Sequence, residues 1–215
     1  CNENIVFNID KYNDYIDNIY IWFYIASKHA YNYCSKKLNV YIYLTNIKRS
    51  LPKSNIHILE PIHINGGVSN VCVRNSLSEI VIYRREEWFK VLIHETFHNY
   101  GLDFSDLNIS SLQNNFKQLF PIESDMLIFE AYTEFWGELI NMCFICFLTA
   151  QDGSINKEEK FVQLIRELIN IERSFSLFQC NKVLYHMGIE YSDLFTKNNV
   201  SNIKRNNLYK EKTNV

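Results

Sequence analysis

Glycine and proline are scarce, six and three in 215 residues. With so few residues able to punctuate regular structure, long loops should be few and helices long. An excess of positive charge is missing as well. The net charge of -2 and the pI near 6.3 argue against a nucleic-acid groove as the main business of the surface, so no nucleic-acid partner is expected. No basic-then-apolar stretch opens the chain as a secretion signal would. It opens on Cys1 and is taken as a domain excerpt or a processed product. An uninterrupted apolar run of membrane-spanning length is absent too. The best candidate, residues 126–150, carries Glu130, Glu134 and Glu138, each costly in hydrocarbon. It reads as a buried helix of a soluble protein, and no membrane partner is expected.

What is present describes a folded chain. Hydrophobic residues make up 47% and charged residues 21%, values of a soluble domain rather than a disordered segment. Fourteen tyrosines and fifteen phenylalanines reflect the codon bias of an A+T-rich genome. The six cysteines stand at 1, 34, 72, 143, 146 and 180. Cys143 and Cys146 form a C-x-x-C inside the apolar run "LINMCFICFL", where a packed thiol pair is the expected reading over a zinc or redox site. Cysteines read as free fit a reducing compartment, which points to an intracellular, cytoplasmic protein.

Along the chain, residues 10–36 read as one long helix with an aromatic face. Four short β-like runs follow at 39–46, 55–64, 68–73 and 78–83, separated by "LPKS", "NGG" and "RNSL". The character then turns helical. A helix over about 86–100 should end at Gly101, with the acids of "YRREEW" near its positive end. A short helix in "SLQNNFKQLF" and a long apolar helix to about Ala150, capped by Ser124 or Asp125, come next. Two more helices are expected in 157–195. The fold class is therefore α+β: a small mixed sheet packed on a mainly helical C-terminal half. We expect a single domain over 1–196, with helix and sheet in 1–83, helices in 84–196, and a mobile polar tail at 197–215.

The chemistry concentrates in "KVLIHETFHNYGLDFS", residues 90–105. On an α-helix, residues four apart lie on one face, so His94 and His98 can aim two imidazoles at one point. Glu95, offset by about 100°, can reach a water at that point. Neutral nitrogen ligands plus a carboxylate that accepts a proton are what hydrolytic zinc requires. The plain alternative is an amphipathic helix with solvent-facing His and Glu. A third ligand decides between them. A histidine after "HxxG" is ruled out, because Phe104 stands there. The downstream segment "FEAYTEFWGELIN" instead offers Glu130, Glu134 and Glu138 on one stripe of an otherwise apolar helix. Buried carboxylates must be paired, hydrogen-bonded or metal-bound. A solvated acidic stripe is the competing account.

"HETFH" followed by "EAYTE" resembles the gluzincin clan of zinc peptidases, in which H-E-x-x-H is completed by a glutamate on a later helix. In its thermolysin-like branch that glutamate opens an N-E-x-x-S-D motif. Here Glu130 falls on the ligand glutamate, Thr133 on the serine and Glu134 on the aspartate, while Phe129 replaces the asparagine. The resemblance covers mainly residues 78–140. It implies a zincin-like fold and one zinc ion per chain held by His94, His98 and Glu130. Glu95 is then the general base that activates a metal-bound water for peptide hydrolysis. Glu134 orients a ligand histidine from behind; were Glu134 the ligand, Glu130 would take that supporting role. Zincins lay an extended peptide or protein substrate along an edge strand, for which the stretch with Gly66 and Gly67 is the candidate. A donor to the developing oxyanion is expected from Tyr185 or His186. "IVIYRREEWFKVLIHETFH" and the A+T-rich character also resemble uncharacterised peptidase-like proteins of large DNA viruses, placing the chain in host cytoplasm or a virion. Beside the peptidase stands a catalytically inactive zincin-fold binding module.

Overall fold

Few breakers do leave long helices: one runs 24 residues and another 31. The computed structural model describes residues 9–34, 36–53, 61–72, 74, 77–120, 126–151 and 156–195. A 3-10 turn, Ile9–Tyr12, leads into α1, Asn13–Ser27. Then come β1 (Lys37–Thr45), a helical turn α2 (Pro61–Ile64), β2 (Gly67–Ser69) and β3 (Leu77–Arg84). The helical half follows as α3 (Trp88–Asn99), α4 (Ser110–Leu119), α5 (Ile128–Gln151) and α6 (Lys157–Met187), with a closing 3-10 turn, Tyr191–Leu194. The class is α+β.

The sheet is mixed, in the order β1-β3-β2. β1 runs parallel to β3, with Val40 opposite Ile80 and Ile42 opposite Ile82. β2 runs antiparallel to β3, with Gly67 opposite Ile82 and Ser69 opposite Ile80. β3 alternates strictly, burying Ser78, Ile80, Ile82 and Arg84 on one face, as a half-covered strand should. That face meets Leu92, Ile93 and Phe97 of α3 and Trp22 and Ala26 of α1, forming the core. Trp22 stacks on Phe97 with ring centroids 6.0 Å apart. α3 therefore lies between the sheet and α5, and ten of its twelve residues are buried. A helix enclosed this way cannot rotate its histidines out to solvent.

Several expectations need correcting. The first helix stops at Ser27 rather than running to 36. The N–H of Lys28 closes on Ile25 and Ala26, and Cys34 is drawn off into an antiparallel bridge with Arg74. In the run read as a strand over 55–64, residues 61–64 form a helical turn, for which Pro61 at the first helical position is pre-set; residues 54–60 lie outside the described residues. Of the strand expected over 68–73, residues 68 and 69 lie in β2 (Gly67–Ser69), 70–72 are not strand, and residue 73 lies outside the described residues. The two helices expected in 157–195 are one long helix plus a 3-10 turn, with Asn156 accepting from the Glu159 N–H at its start. Cys34 and Cys72 are not free; they form a disulfide, which removes the cysteine argument for a reducing compartment. Cys143 and Cys146 carry free thiols on α5, Cys146 fully buried, as a packed pair requires. Ser124, Asp125 and the tail at 197–215 lie outside the described residues. Among the described residues, no helix is long and apolar enough to cross a membrane.

α3 ends as its sequence predicts. Gly101 takes φ +65°, its N–H reaching the His98 carbonyl and that of Leu102 reaching Phe97, the paired bonds of a Schellman cap. A Cβ there would lie 2.9 Å from Tyr31 Cδ2 and 3.2 Å from Cys34 Sγ. Gly101→Ala should cost about 2 kcal/mol or more and lower Tm by roughly 4–8 °C in a thermal melt, while a Tm within a degree or so of the parent would contradict the cap.

Candidate metal centre

The i, i+4 spacing on α3 brings His94 and His98 edge to face, with the two Nε2 atoms 3.2 Å apart. α5 crosses α3 closely at Gly137, whose missing side chain leaves His94 Cβ 3.6 Å from the position a Cβ would take. That crossing delivers Glu130, in the first turn of α5, onto the same point. Its Oε2 lies 3.4 Å from His94 Nε2 and 3.3 Å from His98 Nε2. Among the described residues these three form the group able to hold a metal ion. Ligand atoms about 2.0–2.1 Å from a tetrahedral zinc stand about 3.3–3.4 Å apart, so this triangle has the edge lengths such an ion requires. The donor set, two imidazoles and a carboxylate, suits it as well.

Behind the triangle each imidazole meets a carboxylate. His98 Nδ1 donates to Asp103 Oδ2 at 2.6 Å, and Asp103 is buried, its other oxygen accepting from the Ser105 hydroxyl at 2.8 Å. With Nδ1 occupied as a donor, Nε2 presents its lone pair to the triangle. Sequence reasoning missed Asp103, although it stands five residues after His98, just beyond the Gly101 cap. Asp103→Asn is expected to weaken zinc affinity about 10–100-fold in a chelator competition, with the fold retained; unchanged affinity would count against its supporting role.

Glu134 approaches His94 Nδ1 at 3.1 Å, but the ring nitrogen makes no well-aligned hydrogen bond, so the contact is electrostatic. Glu134 also pairs with Lys90, a buried lysine one turn before His94 that has Glu138 at 3.8 Å and Glu87 at 3.9 Å. Neither the sequence motif nor its periodicity pointed to Lys90. The acidic stripe of α5 is thus turned toward α3: Glu130 onto the imidazoles, Glu134 onto His94 and Lys90, and Glu138 toward Lys90.

The charges are strongly coupled. Burial alone would lower the pKa of both imidazoles. For His94, the adjacent Glu130 and Glu134 carboxylates outweigh burial and lift it to about 9; for His98, Asp103 and Glu130 lift it to about 10. Burial would raise Glu130, but the two histidines bring it down to about 2. Burial likewise opposes ionisation of Glu134, and His94 and Lys90 bring it to about 2. The cluster is a trap for positive charge.

Glu95 is buried on the same wall, and desolvation raises its pKa against the opposing pull of Ser69 and the histidines. The Ser69 hydroxyl, from β2, donates to Glu95 Oε2 at 2.7 Å. Glu95 therefore has a fixed rotamer and a proton affinity above that of an ordinary carboxylate. Ser69 was not singled out from sequence, because the two residues are 26 apart.

These groups face a cleft of about 970 Å³. His94, Glu95 and His98 line it together with Gly66, Gly67 and Ser69, so the glycine stretch lies beside the His94–His98–Glu130 triangle. β2 is an edge strand, as expected. The glycines themselves answer to packing: a Cβ on Gly66 would meet Val91 Cγ2 at 2.7 Å, and one on Gly67 the Val81 carbonyl at 2.8 Å. Tyr185 and His186 do not line this cleft. Tyr185 is 88% exposed beside a separate hollow of about 710 Å³ with Phe178, Lys182 and Tyr191, and His186 is buried on α6. α6 packs along α5, which stands between it and the cleft-lining face of α3. Arg84 is buried and donates to the Ile62 carbonyl rather than lining the cleft.

No known protein family and no solved structure matches the chain. Among curated proteins it is similar to "Uncharacterized protein R210" of Acanthamoeba polyphaga mimivirus, 27% identical over 176 residues, which cover 77% of this chain and 43% of that protein. The chain thus spans less than half of the relative's length, and the likeness to a giant-virus protein supports a viral origin.

Proposed function

We propose that this chain is a zinc-dependent peptidase of zincin type, with His94, His98 and Glu130 as metal ligands. The observation that carries the reading is the convergence of two imidazole nitrogens and a carboxylate oxygen within 3.2–3.4 Å of one another, with His98 Nδ1 already committed to Asp103. Three acceptors facing one another need positive charge among them, which protons on the imidazoles supply in the metal-free chain and a bound cation can replace. Zinc held there supplies Lewis acidity to a substrate carbonyl and acidity to a water.

The chain's own residues supply the rest. Glu95 accepts the proton that the attacking water gives up as its oxygen adds to the peptide carbonyl carbon. It returns that proton to the amide nitrogen as the C–N bond breaks. Ser69 fixes its carboxylate, and burial keeps the proton on Glu95 between the two steps. β2 supplies a binding edge. Tyr83 N–H bonds the Gly66 carbonyl and Asn70 N–H bonds that of Glu79, so by antiparallel alternation the backbone groups of Gly67 and Ser69 point away from β3. An extended peptide adding to that edge lies beside His94 and Glu95.

The test is metal analysis of purified protein together with a broad peptide library. About one zinc per chain with library cleavage supports the peptidase. Zinc without any hydrolysis moves the assignment to the inactive zincin-fold binding module, and absence of zinc binding sinks both. Of the two settings expected for a viral protein, the Cys34–Cys72 bond favours the virion over the reducing host cytoplasm.

A further inference from the structure

β2 is short, its Gly67–Ser69 register on β3 flanked by bonds between Gly66 and Tyr83 and between Asn70 and Glu79. Residues 69–72 are also tied to the C-terminal turns of α3. The Ser69 hydroxyl bonds Glu95, Asn99 Nδ2 donates to the Asn70 carbonyl at 2.8 Å, and the Cys72 N–H donates to the His98 carbonyl at 3.1 Å. Asn99 is fully buried and also donates to Ser78 of β3, so one side chain joins metal helix, sheet and edge segment. The far end of the segment is closed covalently. Cys72 is bonded to Cys34, which is buried against the Gly101 cap of α3 and bridged to Arg74, whose guanidinium lies 4.6 Å from the Tyr33 ring centroid. Apart from the Asn70–Glu79 bonds to β3, the ties on this segment end on the helix that carries His94, Glu95 and His98, or on the turn beside its cap.

We propose that the Cys34–Cys72 disulfide is a thiol-releasable clamp on the substrate edge, so that a dithiol reductant weakens peptide binding while leaving the metal ligands in place. This rests on the peptidase reading of the same site. A thiolate of the reductant attacks the sulfur of Cys72, a half-buried residue, or that of its partner, and the second thiol resolves the mixed disulfide. The bond between Cys34 and Cys72 takes up two electrons and two protons to give two thiols, and the reductant leaves as its own disulfide. The metal triangle is built by α3 and α5 alone and includes no atom of the clamped segment. Asn99 acts with the disulfide as a positioning residue, since it touches the edge segment and not the reacting atoms.

The experiment compares the zinc-loaded full chain before and after reduction with a phosphine, used because thiols also bind zinc. Three quantities are read: zinc content, KM and kcat for an extended peptide, and amide exchange over residues 67–72. Reduction should raise KM about tenfold with a smaller change in kcat, leave zinc in place, and speed exchange in that segment. The Cys34→Ser/Cys72→Ser double variant should match the reduced protein without any reductant; if it does not fold, the reduced wild-type chain gives the same reading. Unchanged KM and exchange overturn the clamp, and so does zinc loss on reduction. A zinc-loaded chain that cleaves nothing in either state sinks the peptidase reading alone, and the exchange rates then decide the clamp by themselves.

Discussion

Glu95→Gln is expected to keep its zinc and its fold while losing peptide hydrolysis by about 10²–10⁴-fold, the usual worth of a general base. Glutamine has the size of glutamate, and its amide oxygen can still accept from the Ser69 hydroxyl that now bonds Oε2 at 2.7 Å. What it cannot do is take a proton from water and return it to the leaving amine. The loss should therefore fall on kcat, measured at saturating peptide, with Tm and metal content unchanged. In the metal-free parent, burial raises the Glu95 pKa above the ordinary 4.5. Hydrolysis at parental rates by Glu95→Gln would remove Glu95 from the mechanism.

The second large effect is on the metal. His98→Ala deletes two of the three edges of the ligand triangle and leaves Asp103 buried without its partner. Loss should go well beyond the about 10–100-fold expected of an outer-shell change, with no zinc retained through dialysis. Zinc binding by the parent should also be proton-coupled. Zinc needs neutral imidazoles, and without metal the two histidines hold protons up to about 9 and about 10. Below that range each ion bound expels up to two protons, so apparent affinity should fall by up to about 100-fold per pH unit lost, measurable by calorimetry in buffers of different ionisation enthalpy. Binding independent of pH between 6 and 8, about two pH units, would contradict the protonated pair.

The same shifts set the stability profile of the metal-free protein. The histidine pKa values are raised above 6.5, so their contribution is complete below pH 6.5 and disappears as pH rises through about 9 to 10. Glu130 and Glu134 are depressed from 4.5, so theirs is complete above pH 4.5 and disappears as pH falls through about 2. From these groups the metal-free fold is firmest between pH 4.5 and 6.5, and zinc should raise Tm more at pH 8 than at pH 6, within about two units of the histidine values.

The legible parts of this protein were those fixed by local geometry. Helical repeat places His94 and His98 on one face whatever surrounds them, and the same repeat lines up Glu130, Glu134 and Glu138. Gly101 marks a helix end because only glycine enters a left-handed turn at little cost. The β-branched and aromatic run at 78–83 marks β3 by local propensity. Scarce breakers pointed to long helices, and α5 and α6 are long.

Tertiary packing settled the rest. Ser69 and Glu95 are 26 residues apart, and Cys34 and Cys72 are 38 apart. No periodicity links such pairs; they meet because the sheet and α1 both close on α3. Nothing local marks Lys90, which is buried among the carboxylates of Glu87, Glu134 and Glu138 because α5 crosses α3 there. Tyr185 and His186 suited the chemistry by type, but α6 packs behind α5, away from the cleft. Hydrogen-bonded repeats act over three or four residues and can be read from the chain. Which faces of those repeats meet is decided by how the whole hydrophobic surface is covered at once, and that set Ser69 against Glu95 and joined Cys34 to Cys72.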